Sequence, residues 1–201
     1  MKPRVDFWYD FASTYSYLAA SRVGPLAEAA GVSLMWRPFL LGPIFKSQGW
    51  DSSPFSIYPV KGRYAWRDME RLAARLGLPK FSPPNPFPAH SLLAARVALA
   101  LADEARPDFT RAVYRAEFAK GRDIADKALL AEILRELGHD AEALLAKTGE
   151  PAVKDKLRTE TEEAVRQRIF GAPSFITEDG ELFWGNDRLE QALDWARCKK
   201  S

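Results

Sequence analysis

The chain has 201 residues, 47% hydrophobic and 28% charged, with 12 Phe, 6 Trp and 6 Tyr; that is ample for a packed core and excludes a disordered chain. Its 29 Lys and Arg against 27 Asp and Glu leave a formal net charge of +2. The cations are interspersed with acids, so the concentrated basic face of a nucleic-acid binder is missing. The single cysteine, Cys198, excludes an intrachain disulfide and a CxxC redox pair.

In chain order, residues Met1 to Asp6 run straight into an apolar strand pattern with no signal-peptide h-region. No segment approaches the roughly 20 apolar residues that span a bilayer, and a cytoplasmic location is the default expectation. Val5 to Phe11 reads as a buried strand rich in Phe, Trp and Tyr. After the break at Ala12-Ser13-Thr14, Tyr15 to Ala30 has helical spacing; Pro25 is expected to kink or divide it and Gly31 to end it. Val32 to Pro38 returns to strand character, which makes the opening β-α-β with a parallel crossover.

Leu41 to Gly62 is dotted with Gly, Pro and Ser and reads as loop. Arg63 to Leu76 is helical, with Trp66, Met69, Leu72 and Leu76 on one side. Pro79 to Pro88 is too rich in proline for regular structure. Ser91 to about Arg166 is almost entirely helical, in segments separated by Arg106-Pro107, Gly121-Arg122-Asp123, Gly138-His139-Asp140 and Gly149-Glu150-Pro151. Ser174 to Thr177 and Glu181 to Trp184 are short strands around a Glu178-Asp179-Gly180 turn, and Asp187 to Arg197 closes with a helix. This order is that of an α/β, thioredoxin-like scaffold with a large inserted α-helical subdomain. Residues 1–42 and 167–201 would form the discontinuous thioredoxin-like domain, and residues 43–166 the insertion.

Three places could carry chemistry. The first is the turn after the first strand, where thioredoxin-type redox enzymes place CxxC and this chain has Ser13-Thr14-Tyr15-Ser16. The helix start there favours an anion. A serine hydroxyl cannot cycle through a disulfide, but it can donate a hydrogen bond to a thiolate supplied by a bound thiol; alternatively Ser13 is simply an N-cap. The second is Phe170-Gly171-Ala172-Pro173, just before a strand. A cis Pro173 opposite the catalytic turn would leave the Ala172 backbone free to pair with an extended peptide-like ligand; the other reading is an ordinary Gly-x-Pro loop. The third is Trp184-Gly185-Asn186-Asp187-Arg188-Leu189-Glu190. Asn186 or Asp187 would cap the last helix, with Glu190 completing a capping-box variant. The same end could hold an α-amino acid head, its carboxylate on backbone N–H groups and its ammonium on Asp187.

Lys61 to Asp68 alternates cations with aromatics, including Lys61 and Arg67. That would suit an aromatic carboxylate, or be a solvated helix face around a buried Trp66. His139 lies in a Gly-His-Asp turn and reads as solvated, whereas His90 follows the proline-rich loop and could face a cleft. Two isolated histidines give no metal-site spacing, and no GxSxG is present, so no metal is expected.

Taken together, Asp6-Phe7-Trp8-Tyr9-Asp10-Phe11-Ala12-Ser13, Tyr17-Leu18-Ala19, Pro59-x-Lys61-Gly62, Phe170-Gly171-Ala172-Pro173 and Trp184-Gly185-Asn186-Asp187-Arg188-Leu189 resemble the 2-hydroxychromene-2-carboxylate isomerase family. That family is grouped with kappa-class glutathione transferases and DsbA-like thioredoxin folds, and the resemblance covers essentially the whole chain in order. It implies a homodimer that uses glutathione as cofactor on a small aromatic carboxylate. Ser13 would stabilise the glutathione thiolate, Ala172 before Pro173 would pair with the cysteinyl backbone, and Trp184, Gly185, Asn186 and Asp187 would hold the γ-glutamyl end. The implied reaction is isomerisation of an aromatic-catabolic intermediate by reversible thiolate addition. A kappa-like transferase and a non-catalytic thiol-peptide binding module are the alternatives. Two positions depart from the family: Thr14 stands where proline is usual, and Trp50-Asp51 follows Gly49 where kappa relatives carry a polar residue, often Asn.

Overall fold

The computed structural model describes residues 2–198. Strand β1 (Arg4–Tyr9) is followed by helix α1 (Thr14–Ala30) and strand β2 (Ser33–Pro38), which pairs with β1 in parallel. The chain returns to the sheet at β3 (Ser174–Thr177) and β4 (Leu182–Trp184), both antiparallel to their neighbours, in the order β2-β1-β3-β4. The β3–β4 turn falls where Gly180 adopts a positive φ of 84°, as the Glu-Asp-Gly signal predicts. β1 ends at Tyr9, two residues before the expected end, although Phe11 remains fully buried.

Alternation along β1 separates two apolar layers. Val5, Phe7 and Tyr9 enter the main core, which also takes Leu18 and Val23 of α1, Phe175 of β3 and Leu189 and Leu193 near the C-terminus. Trp8 faces the other way, into a smaller cluster with Phe39, Ile44, Ala164, Ile169 and Ile176. Covered on both faces, the sheet places the β1–α1 turn at the C-terminal end of its central strand β1. Pro25 does not divide α1; its ring lies on the exposed side, where water can take the carbonyl that its missing N–H leaves free. Gly31 ends the helix at φ 67°, as expected.

The reading of residues 41–62 as loop is overturned. Helices α2 (Leu41–Ser47), α3 (Pro54–Ile57) and α4 (Pro59–Arg75) occupy most of it. Pro54 and Pro59 are the first residues of their helices, where a missing N–H costs nothing and a fixed φ helps. Gly62 is needed inside α4 because the Phe55 carbonyl occupies the space of a Cβ. Residues 78–90 carry no regular structure beyond turns and bends, and the Asn85–Pro86 and Phe87–Pro88 peptide bonds are cis. Then come α5 (Leu92–Ala100), α6 (Arg106–Lys120), α7 (Lys127–Glu136), α8 (Ala141–Lys147), α9 (Pro151–Arg166) and, after β4, α10 (Leu189–Cys198). No helix of the described residues is long and apolar enough to cross a membrane.

Candidate functional site

A cleft of about 1410 Å³ opens between the end of β1, the start of α1, the β3–β4 side of the sheet and the segments that carry α2 to α5. It exceeds the roughly 300–1,000 Å³ of an ordinary small-molecule site. Its walls include Ser13, Ala172, Trp184, Gly185, Asn186 and Asp187. Pro173, buried behind Ala172, is joined to it by a cis peptide bond.

Ser13 is the N-cap of α1: its Oγ accepts from the Ser16 N–H at 3.2 Å. The same oxygen donates its one proton to the Ala172 carbonyl at 2.9 Å. The capping reading is met, and the same hydroxyl ties the turn to the Gly-Ala-Pro loop. The first turn of α1 contains no acidic residue, which leaves the first-turn N–H groups of a 17-residue helix without a carboxylate of that turn. Thr14, which follows, is buried, and its Oγ1 has no partner.

Asp10 is a site residue that sequence reasoning missed; the apolar strand it closes offered only the clue of an acid placed against the motif. It is 3% exposed, and its Oδ1 accepts from Ala12 N–H at 2.9 Å and its Oδ2 from Leu41 N–H at 2.6 Å. The Ser91 side chain also hydrogen-bonds it, while the Tyr114 hydroxyl donates to its carbonyl at 2.8 Å. Burial pushes its carboxyl above the usual range, against the pull of Leu41, Ala12 and Ser91. Tyr15 and Asp68 were missed as well. The Tyr15 hydroxyl donates to Asp68 Oδ2 at 2.9 Å across the cleft wall, linking α1 to α4, and burial followed by that carboxylate pushes the phenol up.

At the far end, Gly185 has φ 109° and donates to the Pro173 carbonyl at 2.9 Å. A Cβ there would meet Asp187 Oδ1, and one on Gly171 would run into the Trp184 indole. Trp184 packs on Phe170 at 4.9 Å and is 52% exposed. The expected cap does not form. Asn186–Arg188 is a 3-10 turn with no side-chain cap, and Glu190 pairs with Arg22 instead of closing a capping box. Asn186 is buried with its Oδ1 unpartnered, and the exposed Asp187 carboxylate pairs with Arg188 at 3.0 Å.

The opposite wall includes Lys61, Asp51 and His90 with Phe87 and Pro88. Arg67 lies outside the lining and pairs with Glu70 at 2.5 Å. Trp66 is half-buried against Phe81 and Phe87, and His139 is partly exposed. Cys198 is free and exposed, and Lys199 and Lys200 lie outside the described residues.

The DSBA-like thioredoxin domain family matches residues 4–195. The chain belongs to this family. It is 31% identical over 191 residues to the 2-hydroxychromene-2-carboxylate isomerase of Sphingobium xenophagum, covering 94% of this chain and 96% of that one. It is 28% identical over 205 residues to glutathione S-transferase kappa 2 of Caenorhabditis elegans, covering 95% and 90%. A solved 2-hydroxychromene-2-carboxylate isomerase superimposes with a TM-score of 0.87 at 26% identity, over 98% of this chain and 95% of that one. Among DSBA-like proteins the chain thus groups with isomerases and kappa transferases, and it is an enzyme of that group. At the position of the redox pair it carries Ser13 and Ser16.

Proposed function

We propose that the chain is a glutathione-dependent isomerase of an aromatic-catabolic intermediate, of the type that converts 2-hydroxychromene-2-carboxylate to trans-o-hydroxybenzylidenepyruvate. The observation that carries this reading is the Ser13 hydroxyl, 2.9 Å from the Ala172 carbonyl at an acid-free helix start. It places a hydroxyl donor beside a peptide edge.

The residues present fit a γ-glutamyl tripeptide. The Ala172 backbone offers a strand-like edge for the cysteinyl unit, held by Pro173 behind it. The exposed Asp187 carboxylate suits an ammonium, and Asn186, Trp184 and Gly185 shape the same end of the cleft. Bound glutathione would supply a thiolate that adds to an unsaturated carbon and leaves again after bond rotation. Ser13 and the α1 start would favour that thiolate by charge-assisted hydrogen bonding and the helix dipole. Lys61 and His90, on the facing wall with Phe87 and Pro88, would orient the aromatic carboxylate. The reading includes a cytoplasmic homodimer in which residues 43–166 act as a helical subdomain.

Calorimetric titration of wild type with millimolar glutathione is expected to show binding, weakened about tenfold or more in Ser13→Ala and in Asp187→Ala. No binding to wild type refutes the reading. The kinship with a kappa transferase favours one second reading, in which glutathione leaves attached to the product. A turnover assay separates the two: an isomerase leaves total glutathione unchanged, and a transferase consumes it in step with product.

A further inference from the structure

The proposed reaction has two halves, and the residues placed so far serve one of them. Thiolate addition and loss allow a carbon–carbon bond to rotate. A 2-hydroxychromene-2-carboxylate is also a closed ring, whose C2 carries a hydroxyl and the ring oxygen together. Its isomer has a ketone and a free ring hydroxyl instead. Between the two, the ring C2–O bond must break, and a proton must leave the 2-hydroxyl and reach the ring oxygen. That transfer calls for a side chain that accepts a proton and gives one back.

Most ionisable side chains of the cleft are already committed. Asp10 holds the Ala12 and Leu41 N–H groups and the Ser91 side chain. Tyr15 gives its proton to Asp68, which also takes Arg71 at 3.0 Å, and Asp187 pairs with Arg188. Lys46 and Lys61 are donors only, and an ionised Asp51 is an acceptor only. His90 is exposed on the cleft wall and has no hydrogen bond or ion pair among the described residues. Its neighbour Ser91 sets its place. Ser91 stands at the N-cap of α5 without capping it, and its side chain goes to Asp10. Asp10 in turn takes the Ser13 N–H on its carbonyl at 2.9 Å. His90 is therefore one residue from a series of bonds that ends at Ser13, on the thiol side of the cleft.

We infer that His90 is a further catalytic residue of the proposed reaction, the proton carrier of ring opening. In its neutral form imidazole accepts at one ring nitrogen and donates from the other. The 2-hydroxyl gives its proton to the first nitrogen as its oxygen becomes the ketone. The ring C2–O bond breaks, its electron pair stays on the ring oxygen, and that oxygen takes a proton from the second nitrogen. Both oxygens sit on one carbon, so a single imidazole serves both. It regains its starting form by exchange with water, and nothing is consumed. Lys61, on the same wall, keeps a permanent cation for the carboxylate. The role rests on the isomerase reading above and goes beyond orientation of the carboxylate.

cis-Benzylidenepyruvate separates the two roles of His90, because it has the carboxylate and the double bond but no ring hydroxyl, and cannot close. With glutathione present, His90→Gln is expected to lose about a hundredfold in kcat on 2-hydroxychromene-2-carboxylate, and only about fivefold or less on cis-benzylidenepyruvate. In His90→Ala, imidazole added to the assay is expected to restore turnover of the cyclic substrate. Equal losses on both substrates, or no loss on the cyclic one, overturn the assignment and leave the glutathione site in place. If wild type fails to bind glutathione in the titration above, the isomerase reading itself fails and His90 has no reaction to serve.

Discussion

At Asp10 one buried carboxylate gathers three separate segments: the turn through Ala12, the α2 start through Leu41 and the α5 start through Ser91. Acceptor-only chemistry suits it, since all three partners are donors. An amide in the same place turns one donor toward another. Asp10→Asn is expected to lose about 1–3 kcal/mol of stability in denaturant titration and to weaken glutathione binding, because the same bonds position Ser13. Unchanged stability would show that the three contacts are incidental. Asp10 was visible in the sequence as an acid closing an apolar strand, but its partners stand 31 and 81 positions away (41 − 10 and 91 − 10), beyond any local pattern.

Among the elements, the β3–β4 hairpin and the loops at its ends do most to shape the tripeptide end of the cleft. Gly171 is required because the Trp184 indole stands where its Cβ would be. In Gly171→Ala the indole must move, and being half-exposed it can swing outward instead of straining the core. The variant is expected to keep its melting temperature to within a few degrees, while glutathione affinity falls at least tenfold. Retained affinity would remove Trp184 from the binding surface. The start of α10 shows the opposite limit of local reading. Asn186, Asp187 and Glu190 have the spacing of a capping box, yet Arg22 of α1 draws Glu190 away and a 3-10 turn replaces the cap.

Across the whole molecule, the main apolar core runs from the sheet into the helical segments, joining Phe7 and Leu18 to Phe109, Leu130 and Leu134. Within it α6 places Glu117 at 0% exposure with both carboxyl oxygens unpartnered. Burial, then the charges of Asp10 and Asp123, push this carboxyl well above 4.5. The unfolded chain releases that proton near 4.5, whereas the folded chain keeps it to higher pH. Folding therefore takes up a proton over that interval, and stability falls as pH rises through it. Glu117→Gln keeps the shape without an ionisable proton. Its melting temperature is expected to match wild type below pH 4.5 and to exceed it increasingly toward neutral pH, by about 2–4 °C per kcal/mol. A constant difference across pH would mean that Glu117 ionises normally.

By itself the sequence determined the order of the strands and of the longer helices, the serine at the turn, the Gly-Ala-Pro loop and the Trp-Gly-Asn-Asp junction. These are written in apolar periodicity and backbone preference, which act over a few residues. The short helix opening at Pro54 and the first turn of α4 at Pro59 were read as loop because proline punctuates both a loop and a first helical turn. Only the tertiary structure decided that Ser13 meets Ala172 across 159 positions, that Asp10 binds two distant segments, and that Lys61 and His90 line the cleft while Arg67 does not. Such meetings depend on how the sheet and helices pack, and packing is set by the summed burial of the whole core, which no local window contains.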